Sequence, residues 1–343
     1  MLPAPASAPP PSPGTAPRVG MARLAASSPP LAAKRKVTYF RLPVHALLNR
    51  CPNPNLPFRW TINPYRGCEF GCKYCYARYT HEYLGFEDPA AFEEKIYSKA
   101  QAGEILRREL RRDPGGAIAI GAATDPYQPA ERIYGTTRSI LETIAEFRGL
   151  SVSLTTKSDL VMRDVALLRE IAADNHLQIN MTIVTLDPAL ARKLEPRAPR
   201  PDLRLAAVRA LSAAGLRVAI FSMPVLPFLT DAPANLEAVA RAGAAAGAQT
   251  FAANALFLMP ASQKAFFPFL EEQFPHLVAR YRRWFRRDAY LRGDYAERIH
   301  ELAQQLRKKY FPPPFTAGPA RAPFGRRQQL ALFPDGEASD YPD

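Results

Sequence analysis

The chain has 343 residues, 47% of them hydrophobic, with four cysteines and a formal net charge of +13. That length holds one large domain with tails or two small ones, and four cysteines do not make a disulfide scaffold. No run of about 18 apolar residues exists, so no membrane-spanning helix is expected, and the absence of an export signal points to the reducing cytoplasm.

In chain order, residues 1–36 are rich in Pro, Ala and Ser. Ordering such a segment costs entropy that burial cannot recover, so it is expected to be disordered. From 37 to 275, short apolar strands alternate with amphipathic helices. Strands are predicted over 59–63, 117–121, 151–155, 178–184, 217–222 and 250–258. Helices are predicted over 92–111, 137–147, 163–174, 202–214, 234–246 and 262–274. The run Ala117-Ile118-Ala119-Ile120 reads as a strand buried on both faces. This alternation implies an α/β fold of parallel strands with right-handed crossovers. A doubly wound sheet and a partial barrel both satisfy it. Residues 276–311 continue as a helical extension, and 312–343 form a Pro-, Gly- and charge-rich tail, expected to be disordered.

The chemistry concentrates in 63–78, where Cys68, Cys72 and Cys75 stand as C-x3-C-x2-C. Thiolates so spaced are soft-metal ligands. Three of them leave one iron of a four-iron cluster open, and an open metal position can take a substrate or cofactor. A zinc site recruiting His81 is the alternative, although the spacing is unlike paired C-x2-C knuckles. A disulfide is disfavoured, because three clustered cysteines leave one over.

Polar residues recur after successive predicted strands: Thr124 and Asp125, then Lys157, then Thr182 with Glu195 and Arg197. Each alone reads as a turn or cap residue. Together, beside the cysteine run, they read as one pocket.

These segments resemble the radical S-adenosylmethionine (SAM) superfamily, and within it the spore photoproduct lyase-like branch, which includes proteins called DNA repair photolyases. The resemblance is carried by Asn63-Pro64-Tyr65-Arg66-Gly67-Cys68, Tyr76-Ala77-Arg78, His81-Glu82-Tyr83-Leu84-Gly85, Thr124-Asp125-Pro126-Tyr127-Gln128-Pro129, Thr156-Lys157-Ser158, Thr185-Leu186-Asp187 and Glu195-Pro196-Arg197-Ala198. It spans 36–274. It implies a (β/α)6 partial TIM barrel with an N-terminal extension over 37–275, with chemistry at the C-terminal strand ends. It also implies a 4Fe–4S cluster on Cys68, Cys72 and Cys75, and SAM chelated at the open iron. Reductive cleavage of SAM then gives a 5′-deoxyadenosyl radical that abstracts hydrogen.

By position, Thr124 and Lys157 look like the pair holding the SAM carboxylate, to which a hydroxyl and a cation are suited. Lys157 also reads as a surface loop lysine. Asp125 belongs to the same cofactor-binding set. Tyr74 and Tyr76 look placed against the cluster and the adenine side, and Thr182 looks like the ribose contact. Glu195, Arg197 and Arg204 look like a polar network near the mouth. The implied partners are an electron donor and DNA. One departure is chemical. The lyases carry a hydrogen-donating cysteine where this chain has Ala123, preceded by Ala122. Spore photoproduct repair is therefore not expected, and Cys51 is an inert loop thiol or a replacement donor. Alternative readings are a radical SAM enzyme acting on a protein or small molecule, and a non-enzymatic, metal-bearing nucleic-acid-binding protein. The polar strand ends speak against the last.

Residues 280–287 interleave arginines with Tyr281, Trp284 and Phe285. This is either a phosphate- and base-binding surface or an amphipathic helix with its aromatics in the core. In the tail, Gln329, Leu330, Leu332 and Phe333 resemble the peptide by which proteins bind the bacterial sliding clamp. The alternative is a tail that folds back on the barrel.

Overall fold

The computed structural model describes residues 19–34, 36–291, 293–311, 313 and 323–327. A short helix, Gly20–Ser27, leads into β1 (Pro30–Lys34), which pairs antiparallel with β2 (Val37–Leu42). Strand β3 (Asn49–Arg50) pairs antiparallel with β4 (Trp60–Ile62). Strands β5 (Tyr65–Arg66) and β6 (Lys95–Lys99) complete a four-stranded sheet of order β1-β2-β6-β5.

The larger sheet adds β7 (Ile118–Ile120), β9 (Ser151–Thr156), β10 (His176–Thr182), β11 (Arg217–Val225) and β12 (Thr250–Ala255); the short β8 (Phe147–Arg148) pairs instead with β13 (Gly325–Arg326). Its order is β12-β11-β10-β9-β7-β4-β3, and every pair from β4 to β12 is parallel. This order decides between the two candidate architectures. A doubly wound sheet reverses direction at a switch point. Here the strands follow one another without reversal, so successive right-handed crossovers put the helices on one face. The sheet is a (β/α)6 partial barrel.

Side-chain alternation gives the barrel its two surfaces. Val152, Leu154, Leu177, Ile179, Met181, Val218 and Ile220 join one core with Ile140, Ile144, Leu168, Leu211 and Val239 of the helices. Each such burial contributes roughly 1.5–3 kcal/mol. The intervening Ser153, Thr155, Gln178 and Asn180 of β9 and β10 form a polar inner face. Gln178 Nε2 donates to Asn180 Oδ1 at 2.8 Å, and Asn180 Nδ2 donates to Thr155 Oγ1 at 3.1 Å.

The observed helices Thr136–Ala145, Val165–Asp174, Pro201–Ala213, Pro233–Ala245 and Pro260–Gln273 lie close to their predicted spans. The span 92–111 differs. It is a short helix, Ala91–Glu94, then β6, then the helix Ala102–Glu109. Residues 20–34 also differ from the expectation of disorder, forming a helix and β1.

The C-terminal helix Asp294–Tyr310 packs on β12 and on Pro233–Ala245, and Phe311 stacks on Phe251 at 6.3 Å. Within the helix Val278–Trp284 and its C-cap, Tyr281 and Phe285 are buried and the arginines are exposed, which is the amphipathic arrangement. The clamp-peptide residues Gln329 to Phe333 lie outside the described residues. Among the described residues, no helix is long and apolar enough to cross a membrane.

Candidate active site

The cysteine loop begins just past the C-terminal end of β4. Gly67 opens it at φ +82°, where a Cβ would sit 2.7 Å from the Phe92 carbonyl oxygen and 2.9 Å from that of Lys95. Only glycine fits both constraints. The Cys68 amide donates to Phe92 O at 2.9 Å. The Gly67 carbonyl accepts from Thr124 Oγ1 at 2.6 Å and Gln128 Nε2 at 3.0 Å, while Gln128 Oε1 accepts from the Glu69 amide at 3.0 Å. Arg78 donates to the Cys72 carbonyl at 3.1 Å and pairs with Glu93 at 2.9 Å. Ser262 Oγ donates to the Cys75 carbonyl at 3.0 Å. Backbone contacts from four directions thus hold the loop.

The three thiols are free of disulfides; Cys68 and Cys72 are buried and Cys75 is half-buried. Burial pushes the Cys68 thiol well up, with Asp125 adding to it. Burial likewise pushes Cys72 up to about 12, against the pull of Lys157, and raises Cys75. Three soft donors are held on one loop in surroundings that disfavour free thiolates, which is the chemistry an iron–sulfur group satisfies. A single-ion site fits poorly. Among the described residues, no three His, Cys, Asp or Glu side chains gather as one ion requires. His81, the candidate fourth zinc ligand, has Nε2 at 3.0 Å from the Lys95 carbonyl and packs among Phe86, Phe92 and Tyr97.

Beside Cys72 lies a buried polar set. The Tyr74 hydroxyl donates to Glu195 Oε1, and Arg204 pairs with Glu195 Oε2 at 2.5 Å. Arg204 also donates to the Thr182 carbonyl at 3.1 Å and the Pro199 carbonyl at 2.8 Å. Burial pushes the Glu195 carboxyl up, but Arg204 and Lys157 outweigh it and hold it below its usual range. The Lys157 ammonium lies 5.9 Å from the Tyr74 ring centre. Burial pulls its pKa down, yet Cys72 and Glu195 outweigh that and leave it raised.

Asp125 joins the second and third strand ends. Its carboxylate accepts from Thr156 Oγ1 at 2.7 Å, the Tyr127 amide at 2.9 Å and the Lys157 amide at 2.7 Å. Burial nonetheless raises its pKa.

The structure brings Tyr74, Lys157, Glu195, Arg204 and Cys72 together, with Thr182 joined through its main chain. Thr124 is turned to the cysteine loop, its hydroxyl engaged by Gly67. The Tyr76 hydroxyl donates to the Ala122 carbonyl, and its ring packs on Phe257 at 5.1 Å. Arg197 does not join the Glu195–Arg204 pair; it reaches the Glu69 and Glu93 carbonyls at 3.4 Å from outside. Cys51 bonds through its amide to Arg59 O at 2.8 Å. That places it at the N-terminal end of β4, opposite the cysteine loop. Gln128 and Arg78 were missed as loop anchors, although both lie in runs that carry the family resemblance.

A profile of the family described as the Radical SAM superfamily matches residues 62–237. The chain belongs to the radical SAM superfamily. An uncharacterized protein of Mycobacterium tuberculosis is 38% identical over 277 residues, covering 80% of this chain and 81% of that one. Another from Methanocaldococcus jannaschii is 29% identical over 173 residues, covering 50% of this chain and 62% of its own. In fold, this radical SAM enzyme is similar to a spore photoproduct lyase variant with dinucleoside spore photoproduct, at TM-score 0.60, 15% identity and 80% coverage of both chains. A second such variant with bound AdoMet gives TM-score 0.56 at 18% identity, covering 77% of each chain.

Proposed function

We propose that this radical SAM enzyme binds a 4Fe–4S cluster through Cys68, Cys72 and Cys75, and binds SAM beside it. When bound, the cluster supplies the electron that breaks a carbon–sulfur bond of SAM, giving a 5′-deoxyadenosyl radical. The observation that carries this reading is the backbone-anchored loop of three free cysteines with Lys157 and Glu195 beside Cys72. Lys157 offers an ammonium that makes no hydrogen bond among the described residues and is suited to the SAM carboxylate. Tyr74, Glu195 and Arg204 hold that side of the site rigid and exclude water from it. Thr124 and Asp125 position the loop and the Lys157 backbone, while Tyr76 and Thr182 complete the cofactor wall.

The substrate proposed is a nucleic acid or a damaged base within it. The charge of +13 supports a polyanion, and the dinucleoside bound in a lyase of similar fold supports the class. Ala123 favours a second reading, a different reaction on a protein or small molecule, because the lyases have their hydrogen-donating thiol there. The test is SAM cleavage under anaerobic reduction, run with intact DNA, damaged DNA and none. DNA-dependent product or substrate loss supports the nucleic-acid reading; turnover indifferent to DNA favours the second. Cytoplasmic location and sliding-clamp binding through Gln329–Phe333 belong to the same proposal. Clamp capture by the full chain and its loss in a Leu332→Ala, Phe333→Ala variant test the latter.

A further inference from the structure

Two cations of the N-terminal sheet lack a counter-ion. In the β5–β6 pair Arg66 stands opposite Tyr97, and Lys99 follows Tyr97 by two residues, so all three side chains leave the same face. Lys99 is only 6% exposed. Among the described residues, neither its ammonium nor the Arg66 guanidinium makes a hydrogen bond or an ion pair. Burial, and then Arg66, lowers the Lys99 pKa to about 7, with Glu109 opposing. Glu109 does not pair with it; its carboxylate accepts from the Leu47 and Leu48 amides, both at 3.1 Å. Two like charges set side by side out of water are costly unless an anion joins them. Aromatic rings adjoin these cations, and two of them are open to solvent, Tyr83 at 63% and Tyr290 at 49% exposure. The Tyr290 ring stacks on Phe257 at 5.2 Å and 16°. Phe257 follows β12 at the barrel mouth, and its other ring neighbour is Tyr76, next to Cys75. Tyr83 meets Tyr79 edge to face at 5.9 Å. Tyr79 links rings and cations. Burial raises its pKa, Tyr83 and Tyr290 add to the rise and Arg66 opposes it, so all three groups surround its hydroxyl.

We infer that Arg66 and Lys99 clasp a backbone phosphate of a single-stranded nucleic acid whose flanking bases stack on Tyr83 and Tyr290. The inference deepens the nucleic-acid reading above and rests on it. Charge alone would accept any polyanion, an acidic protein segment included. The rings decide between them. Tyr290 covers Phe257 nearly face to face and is half exposed, so a planar base continues the stack. A base offers its π-face to such a ring only when it is unpaired, and cations beside aromatic plates are the combination that holds single strands. An acidic peptide would satisfy the cations and leave the stack without a partner. The row of rings also runs from solvent to Tyr76. A strand held along it therefore leads to the loop where the radical is proposed to form.

The test uses the cluster-loaded full chain and three probes: a short fluorescent single-stranded DNA, its duplex, and polyglutamate of equal charge. Binding is measured across a salt series for wild type, Tyr83→Ala/Tyr290→Ala, Tyr83→Phe/Tyr290→Phe and Lys99→Met. Removing the rings is expected to weaken single-strand binding about fivefold or more per ring, and the phenylalanine variant to retain it. Lys99→Met should weaken binding and flatten the slope of log affinity against log salt by about 0.7. Iron content and SAM affinity should stay as in wild type. The ring variants lie at the surface, so they decide the question even where Lys99→Met fails to fold. Single-strand affinity unchanged in the alanine variant overturns the proposal and leaves the nucleic-acid reading standing. Duplex or polyglutamate bound as tightly as the single strand also overturns it. A wild type that binds no strand removes the proposal and the nucleic-acid reading together. Loss of binding in the variants, with SAM cleavage indifferent to DNA in wild type, upholds the site and removes the strand as substrate.

Discussion

Arg204 and Glu195 form an ion pair at 2.5 Å with side chains 1% and 0% exposed. Desolvating two charges is costly, and their attraction offsets the cost only while both are present. Arg204→Met strands the Glu195 carboxylate together with the carbonyls of Thr182 and Pro199. The expected loss is about 3–5 kcal/mol of stability, read by urea denaturation. A Glu195→Leu, Arg204→Met double variant should recover part of it; a double variant less stable than the single would contradict this account of the pair.

Gly67→Ala places a methyl group against two backbone oxygens at a φ that L-residues rarely adopt. Neither oxygen belongs to a flexible side chain, so the loop must shift. The variant is expected to bind fewer than four irons per chain after reconstitution while retaining its far-UV circular dichroism. Full iron content would show that the loop tolerates the shift.

His81 gives a pH dependence. Burial lowers its pKa from 6.5 to about 4. Between those values the unfolded chain binds the proton and the folded chain does not, so stability falls as pH falls. The iron-free full chain should lose roughly 2 kcal/mol between pH 7 and pH 5 through this group. His81→Phe should flatten the slope in paired denaturation curves, and an unchanged slope would remove His81 as the cause.

Lys157→Met tests the carboxylate contact apart from the cluster. A charge-assisted hydrogen bond contributes about 1.5–3 kcal/mol, so the dissociation constant for SAM should rise roughly ten- to a hundredfold. Iron content should not change. Equal SAM affinity would move the carboxylate contact elsewhere.

The barrel was legible because its strands are apolar runs bounded by helices of clear amphipathic period, as in Ala117-Ile118-Ala119-Ile120 and Thr136–Ala145. The N-terminal sheet was not. Lys95-Ile96-Tyr97-Ser98-Lys99 carries a lysine at each end and sits between helical stretches, so local pattern reads it as helix. Pairing with Val37–Leu42 and Tyr65–Arg66 makes it a strand, a case of context overriding propensity. Pro30–Lys34 has one large apolar residue and becomes a strand for the same reason.

In the site, the grouping of Lys157 and Glu195 beside the cysteine loop was legible because polar residues recur after successive strands. The grouping of Arg204 with Glu195 came only through the family resemblance, because an arginine in the helix Pro201–Ala213 shows no local sign of pointing inward; Arg197, grouped with them, instead reaches the Glu69 and Glu93 carbonyls. The Thr124 hydroxyl was assigned outward to a cofactor, but the Gly67 carbonyl, bared by the tight turn at Gly67, takes it.

The central claim is that three cysteines on one loop hold a four-iron cluster that opens SAM. The most direct measurement is iron and 5′-deoxyadenosine per chain after anaerobic reconstitution with iron and sulfide, followed by dithionite and SAM. The account predicts four irons and 5′-deoxyadenosine from wild type, with both lost in Cys72→Ala. A fully loaded wild type that yields no 5′-deoxyadenosine, or a Cys72→Ala protein that keeps four irons and activity, would contradict it.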